Sequence, residues 1–167
     1  VYFVLSAYAN RTADPGTLAG RATSSTGAYS LTLTPQYADL AGGGFALSLA
    51  NGTPASTNLT LRNLGAVAAE RCYINYYLSD DATIATGDTP LNFCIQYDVL
   101  PGESRVVQWP LSSVPASDSF RTDNQYWIGA WLDLYGIVPE SNEANNLNQG
   151  LGLDMASFRA EKHLNSP

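Results

Sequence analysis

Apolar and polar residues alternate along several short stretches of this chain, a pattern typical of β-strands with one buried face. Phe45–Ala50 alternates in this way, and the alternation within Thr57–Gly65 directs Leu59 and Leu61 inward. The longest such stretch, Gln125–Tyr135, is predicted to place one set of side chains on a single face: Tyr126, Ile128, Ala130, Leu132 and Leu134.

About eight such stretches follow one another, separated by turn signals rich in Gly and Pro. Among them are Arg71–Asp81 and Arg105–Leu111, and Pro101-Gly102 is a typical turn dipeptide. Helical periodicity is nearly absent. The pattern predicts an all-β protein of the immunoglobulin-like type, an antiparallel two-sheet sandwich. The last strand is expected at Leu147–Met155.

The first stretch, Val1–Ala9, is apolar on both alternating faces and predicts an extra N-terminal strand. An exposed strand of this kind favours aggregation, so it must be covered. Two placements remain open: its own sheet, or a groove in the next subunit, where it would act as a donor strand. Head-to-tail repetition of the second contact gives a filament. The candidate assembly residues are Val1, Tyr2, Phe3, Val4 and Leu5.

Three regions are predicted along the chain. Residues 1–40 form the N-terminal strand and its extension, and residues 41–154 form the sandwich. Residues 155–167 are a tail that could hold a short helix within Asp154–Leu164, with Asp154 as its N-cap.

The composition favours an extracellular setting. Only 14% of the residues are charged, against about 25% in a typical domain. The net charge is −7 and no basic stripe is present, which disfavours nucleic-acid binding. No stretch has the roughly 20 apolar residues of a membrane span. A start at Val1 without Met suggests a mature, secreted product.

Two cysteines, Cys72 and Cys94, each lie within an apolar, aromatic-rich stretch. In a secreted β protein an even count predicts one disulfide between two strands. Two buried free thiols are the alternative.

Four short motifs resemble the CARDB family, the cell-adhesion-related domain found in bacteria. The resemblance covers about Ala41–Leu153 and is carried by Leu61–Gly65, Tyr77–Asp81, Leu100–Ser104 and Asp133–Asn146. It implies an extracellular immunoglobulin-like sandwich, a repeated spacer on surface proteins or an attachment to secreted hydrolases, with no catalytic residues. In the first motif Asn63 is expected to cap a strand end, with Gly65 at positive φ.

Oxygen-bearing side chains in two loops suggest calcium as a cofactor, because Ca²⁺ takes six to eight oxygen ligands. The alternative is that the same side chains order their own turns by local hydrogen bonds. Asn146 belongs to the second loop as well. The candidate ligands are Asp80, Asp81 and Asp88 in the first loop, and Glu140, Glu143 and Asn145 in the second.

Catalytic arrangements are not apparent, so we expect no enzyme. The single histidine, His163, follows the last strand without a nucleophile motif, and Asp133 lacks an evident carboxylate partner. Abundant aromatic residues leave room for a glycan-binding platform, with Tyr73, Tyr77, Trp109 and Trp127 as candidates, although strand aromatics commonly fill the core. Candidate N-glycosylation sites are Asn10, Asn51 and Asn58.

The sequence therefore predicts a non-catalytic extracellular module with a structural or adhesive role. It could be the repeating subunit of a surface filament that self-associates through its N-terminal strand. The alternative is an accessory module that binds carbohydrate or protein, assisted by calcium.

Overall fold

The computed structural model describes residues 34–115, 120 and 124–160. All of them except Thr34 belong to one compact unit, Pro35–Pro167. The predicted strand Val1–Ala9, the sequon at Asn10 and His163 lie outside the described residues.

The described residues form eight strands and one short 3-10 helix, and every pairing between these strands is antiparallel. The predicted class, an all-β immunoglobulin-like sandwich of two antiparallel sheets, is confirmed for the described residues. The strands are β1 (Leu40–Ala41), β2 (Ala46–Ala50), β3 (Thr53–Asn63), β4 (Ala69–Ser79), β5 (Thr89–Val99), β6 (Ser104–Pro110), β7 (Gln125–Leu132) and β8 (Met155–Arg159), and the 3-10 helix is Glu143–Asn145.

The first sheet is built around β3, and the second has the order β5-β4-β7-β8. Within β3, Thr57 pairs with Leu47 of β2 and with Trp109 of β6, so those two strands flank it on opposite sides. β1 lies on the same side of β3 as β2, because Arg62 of β3 pairs with Ala41 of β1 on that side and with Ser104 of β6 on the other. β3 is therefore the central strand of its sheet.

The core lies between the sheets and is filled by the alternate residues that the sequence assigned to it. Leu59 and Leu61 of β3 are fully buried, as are Ile128, Ala130 and Leu132 of β7. This alternation removes one face of each strand from water, and burial of apolar area is the main stabilising contribution to such a sandwich.

The C-terminal tail differs from its prediction. Residues 155–159 form strand β8 on the free edge of β7, with Gln125 paired to Arg159, and no helix begins at Asp154. The predicted strand at 147–155 is largely a loop. The edge of β7 offers backbone hydrogen bonds, and pairing there buries Met155 and Phe158. Asp154 does not cap a helix; its carboxylate accepts from the backbone N–H groups of Gln149 and Gly150.

The predicted disulfide is absent, and this is a second correction: Cys72 and Cys94 are buried free thiols. In the register of β4 and β5, Cys72 pairs with Gln96 while Cys94 pairs with Ile74, so the cysteines are diagonal neighbours. Diagonal residues lie about 7–8 Å apart, beyond the usual Cα separation in a disulfide. Burial raises the pKa of the Cys72 thiol to about 12.

Candidate functional site

Asn63, at the end of β3, binds four backbone groups through one buried amide. Its Oδ1 accepts from the N–H of Asp39 (3.1 Å) and of Gly65 (3.0 Å). Its Nδ2 donates to the carbonyls of Val67 and Val99, each at 2.8 Å. Asn63 thus holds the chain before β1, the β3–β4 turn and the end of β5 together, which confirms its expected role as a cap.

Gly65 is needed for a reason other than the predicted one. Its φ is not among the positive values, so the expectation of φ > 0 is wrong. A Cβ at this position would lie 2.4 Å from the carbonyl oxygen of Tyr37 and 2.5 Å from the carbonyl carbon of Ala38. Only glycine allows the two backbones to approach so closely. In the predicted Pro101-Gly102 turn, Gly102 does have a positive φ of 73°.

The segment Asp133–Asn146 is fastened to β1 by its acidic and amide side chains. Glu140 accepts a short hydrogen bond from the N–H of Leu40 and a second from Nδ2 of Asn146 at 3.0 Å. The same Nδ2 is 3.1 Å from Oε2 of Glu143. Backbone bonds continue the contact, since the Ser141 N–H donates to Ala38 at 2.9 Å.

Two acids in this segment, the buried Asp133 and the half-buried Glu140, have perturbed ionisation. Asp133 is 3% exposed, and its Oδ2 accepts from the N–H of Val138 at 2.7 Å. Burial raises the pKa of Asp133. Burial is also the main cause that raises the pKa of Glu140 to about 7, and repulsion by Glu143 and Asp133 adds to it.

The other acidic loop, residues 80–88, orders itself. Asp81 accepts from the N–H of Thr83, and Asp88 accepts from the N–H of Ala85, each at 2.7 Å. The loop folds back over the outer face of the second sheet, where Ile84 covers the bare backbone of Gly129. These hydrogen bonds fit the structural alternative for this loop.

The two acidic loops are joined through Asn148, two residues after Asn146. Its Oδ1 accepts from the N–H of Ile84 at 2.8 Å and its Nδ2 donates to the carbonyl of Ile84 at 3.0 Å. Asp80 and Asp88 line a hollow of about 340 Å³ beside the end of β4. The two-loop calcium site stays a prediction. Within the described residues, no three Asp, Glu, His or Cys side chains converge to hold a metal.

An aromatic surface lies uncovered on the second sheet, and we call it the open face. Exposure reaches 52% for Phe93, 55% for Tyr97 and 63% for Tyr135. The rings are in contact, since Tyr73 lies 6.0 Å from Phe93 and 5.7 Å from Tyr135 between centroids. The open face comprises Tyr73, Phe93, Ile95, Tyr97 and Tyr135.

The open face overlaps the predicted platform only at Tyr73. Tyr77 is buried beside Trp131, and Trp109 packs against the core. Trp127 packs against Tyr77, Ile84 and Met155. Phe93, Ile95 and Tyr97 were missed, although their period of two along β5 marks one shared face.

A hollow of about 730 Å³ adjoins the open face through Tyr97. Its lining mixes aromatic and aliphatic surface with charged groups, among them Tyr37, Arg71, Asp98 and Ile137. Such a combination suits a ligand that offers both apolar rings and hydroxyl groups.

Of the two described sequons, Asn51 lies in the exposed turn between β2 and β3, and Asn58 is half-buried within β3. No helix among the described residues is long and apolar enough to cross a membrane.

Several solved structures are similar to this chain. The crystal structure of the CARDB domain of the PF1109 protein from Pyrococcus furiosus, in complex with di-metal ions, is 18% identical, with a TM-score of 0.47 over 77% of this chain and 96% of that one. Its solution structure gives a TM-score of 0.48 at 18% identity, over 76% of this chain and 96% of that one. Both structures are of a CARDB domain, the family that the sequence motifs resemble.

Beta-glucosidase 3B from Thermotoga neapolitana, in complex with glucose, is 15% identical, with a TM-score of 0.49. The match covers 75% of this chain but 16% of the enzyme, so it concerns one domain of that protein. No family model and no curated protein matches the chain. At these identities the similarities describe the fold alone.

Proposed function

We propose that this chain is a non-catalytic extracellular module that adheres to another protein surface through its open face. The supporting observation is the contiguous exposure of Phe93, Tyr97 and Tyr135 on a sheet whose opposite face is core. Large aromatic side chains that remain in water mark interaction sites, because burying them on contact is favourable.

The polar residues of the family-like motifs serve a different purpose. Asn63, Glu140 and Asn146 form hydrogen bonds that hold β1 and the neighbouring turns. This division supports a module in which the polar side chains of the motifs maintain the scaffold while the aromatic face makes contact.

Carbohydrate binding is the second candidate, favoured by polar groups set between the rings. On the outer face of β4, Arg71 and Asn75 lie on either side of Tyr73 along the strand. Arg71 is exposed and lines the adjoining hollow with Tyr97. A sugar stacked on Tyr97 would therefore have guanidinium donors beside its hydroxyl oxygens.

Paired serine substitutions test both candidates. In the double variant Phe93→Ser/Tyr97→Ser, self-association in sedimentation velocity and binding to immobilised glycans should fall at least tenfold. Val106→Ser is the matched control, because Val106 is 71% exposed on the first sheet. Loss of self-association alone supports protein adhesion, and loss of glycan binding alone supports the second candidate. Equal behaviour of the double variant and the control would refute a role for the open face.

Filament assembly through Val1–Leu5 is a separate proposal, supported by the apolar character of both faces of that stretch. Deleting Val1–Ala9 should abolish assembly seen by electron microscopy, while contacts made through the open face persist. Unchanged filaments from the truncated chain would rule out the donor strand.

A further inference from the structure

Strand β5 forms an edge of the second sheet, because it pairs with β4 and with no other described strand. Within β4, the carbonyl of Tyr73 accepts from the N–H of Asp133 at 2.8 Å, just beyond the end of β7. Tyr73 therefore bonds towards β7, and its neighbour Ile74 bonds towards β5. Ile74 is paired with Cys94 of β5, so the backbone groups of Cys94 point into the sheet.

The residues on either side of Cys94 direct their backbone N–H and C=O groups away from the sheet, by the same alternation. These residues are Phe93 and Ile95, and no described residue bonds to their backbone on that side. The carbonyl of Tyr97 agrees with this direction, because it accepts from Nη1 of Arg105 in β6 at 2.9 Å. The middle of β5 is therefore an open edge with backbone donors and acceptors ready for another strand.

Proteins protect edge strands with proline, with charged side chains or with groups that cover the edge. In β5 such protection is found at the two ends. Pro90 lies near the start, and Arg105 covers the carbonyls of Tyr97 and Asp98 near the end, at 2.9 and 3.2 Å. Residues 91–97 contain no charged residue, no proline and no glycine. A neutral segment between two protected ends favours pairing with another strand.

A second copy of β5 fits this edge when a two-fold axis passes beside Cys94. Phe93 of each copy then lies opposite Ile95 of the other, and their outward groups complete hydrogen bonds in both directions. The same register sets an aromatic ring against a β-branched side chain twice, a favourable cross-strand pair. Asp98 falls opposite Pro90 of the second copy, so two chains of net charge −7 meet here without opposed carboxylates.

We infer that this chain forms a two-fold symmetric dimer in which β5 pairs antiparallel with β5 of a second copy. The pairing joins two four-stranded sheets into one and leaves both open faces uncovered, side by side. Strand pairing of this length buries less than the roughly 1,200 Å² of a stable complex, so we expect a dimer that dissociates on dilution. This inference does not depend on the proposed adhesion, because backbone groups of the edge hold the dimer and side chains of the open face make the adhesive contact.

Amide hydrogen exchange of the full chain, followed residue by residue by NMR, tests the pairing without any substitution. As the protein concentration rises, exchange at Phe93 and Ile95 should slow at least about tenfold, because their N–H groups become bonded. Exchange at Cys94 and Gln96, whose N–H groups already bond to β4, should stay the same. Exchange at Phe93 and Ile95 that does not depend on concentration, or equal slowing at all four residues, would overturn the inference.

Ile95→Pro removes one outward N–H and leaves the bonds to β4 in place, since an edge strand tolerates proline at such a position. In sedimentation velocity its dimer should be at least tenfold weaker. Val106→Pro is the matched control and should dimerise like the unaltered chain. The N–H of Leu111 bonds to Ala55 of β3, so by alternation along β6 the N–H of Val106 also points outward.

The variant Phe93→Ser/Tyr97→Ser separates the dimer from the adhesion, because it removes open-face side chains and keeps every backbone group of the edge. A dimer retained in this variant and lost in Ile95→Pro supports the edge pairing, whatever becomes of the adhesion. A dimer retained in Ile95→Pro and lost in the serine variant overturns the edge pairing and leaves the adhesion standing.

A charge exchange provides a test that does not rely on proline. In Ile95→Lys alone, and in Ile95→Glu alone, two like charges lie at diagonal positions across the two-fold axis and should keep the chain monomeric. An equimolar mixture of the two variants should recover the dimer, because lysine then faces glutamate. A mixture that stays monomeric under conditions where the unaltered chain dimerises would contradict this register.

Discussion

Replacing Asn63 by alanine removes one buried amide and leaves four backbone groups without their partner. The N–H groups of Asp39 and Gly65 lose an acceptor, and the carbonyls of Val67 and Val99 lose a donor. Alanine offers no polar atom in exchange, so water would have to enter the vacated space to replace these bonds.

The cost follows from the burial of those groups. An unsatisfied buried donor or acceptor costs about 1–3 kcal/mol, and three of the four bonds are only partly buried, so water recovers part of the loss. We expect Asn63→Ala to lower the free energy of unfolding by roughly 3–5 kcal/mol. Domains are stable by about 5–15 kcal/mol, so this is a large fraction of the total.

Urea unfolding followed by tryptophan fluorescence measures the change. Asn142→Ala is the matched control: Asn142 caps the exposed 3-10 helix through one bond to Ala144, and its loss should cost about 1 kcal/mol or less. A destabilisation by Asn63→Ala no larger than that of the control would refute the assignment of the amide as the tie between β1 and β5.

Asn63→Asp separates hydrogen bonding from packing, because the aspartate keeps the volume and both acceptor bonds. At neutral pH its carboxylate faces the carbonyls of Val67 and Val99 without a donor. Burial raises the carboxyl pKa in the folded state, so the folded state takes up the proton more readily than the unfolded one. The variant should therefore regain stability below about pH 5, whereas Asn63→Ala should not.

Three further predictions concern other parts of the domain. Gly65→Ala should destabilise severely because its Cβ meets backbone atoms at 2.4 Å, whereas Gly87→Ala, with open space around it, should be neutral in the same urea assay. In the native protein neither Cys72 nor Cys94 should react with a thiol reagent, and both should react after denaturation. A mass of the intact chain 2 Da below that of the reduced chain would reveal a disulfide instead. The pKa of Glu140 rises from 4.5 to about 7 on folding, so the folded state holds this proton more tightly than the unfolded state. In EDTA the free energy of unfolding should therefore fall by roughly 1–2 kcal/mol as the pH rises from 4.5 to 7, after allowance for solvent screening. Glu140→Gln should flatten this pH dependence.

The strands and the core could be predicted because alternation is a local property of the chain. Leu59, Leu61 and Ile128 are buried for the reason that the period of two gives. The tail could not be predicted in this way. Residues 155–159 became a strand because β7 presents an unpaired edge, and that edge exists only after the sheet has formed.

The same distinction explains which parts of the candidate sites were found. Cys72 and Cys94 lie on adjacent strands, as expected, but whether they can bond depends on a two-residue offset in register that local patterns do not contain. The motif around Glu140 and Asn146 was recognised as oxygen-rich from the sequence. What the sequence lacks is the course of the chain after Glu140. The carbonyl of Asn146 accepts from Leu132 of β7, and the side chain of Asn148 bonds to the backbone of Ile84, so the second acidic loop ends beside the first. That contact depends on loops packing against a finished sheet, which local patterns do not contain.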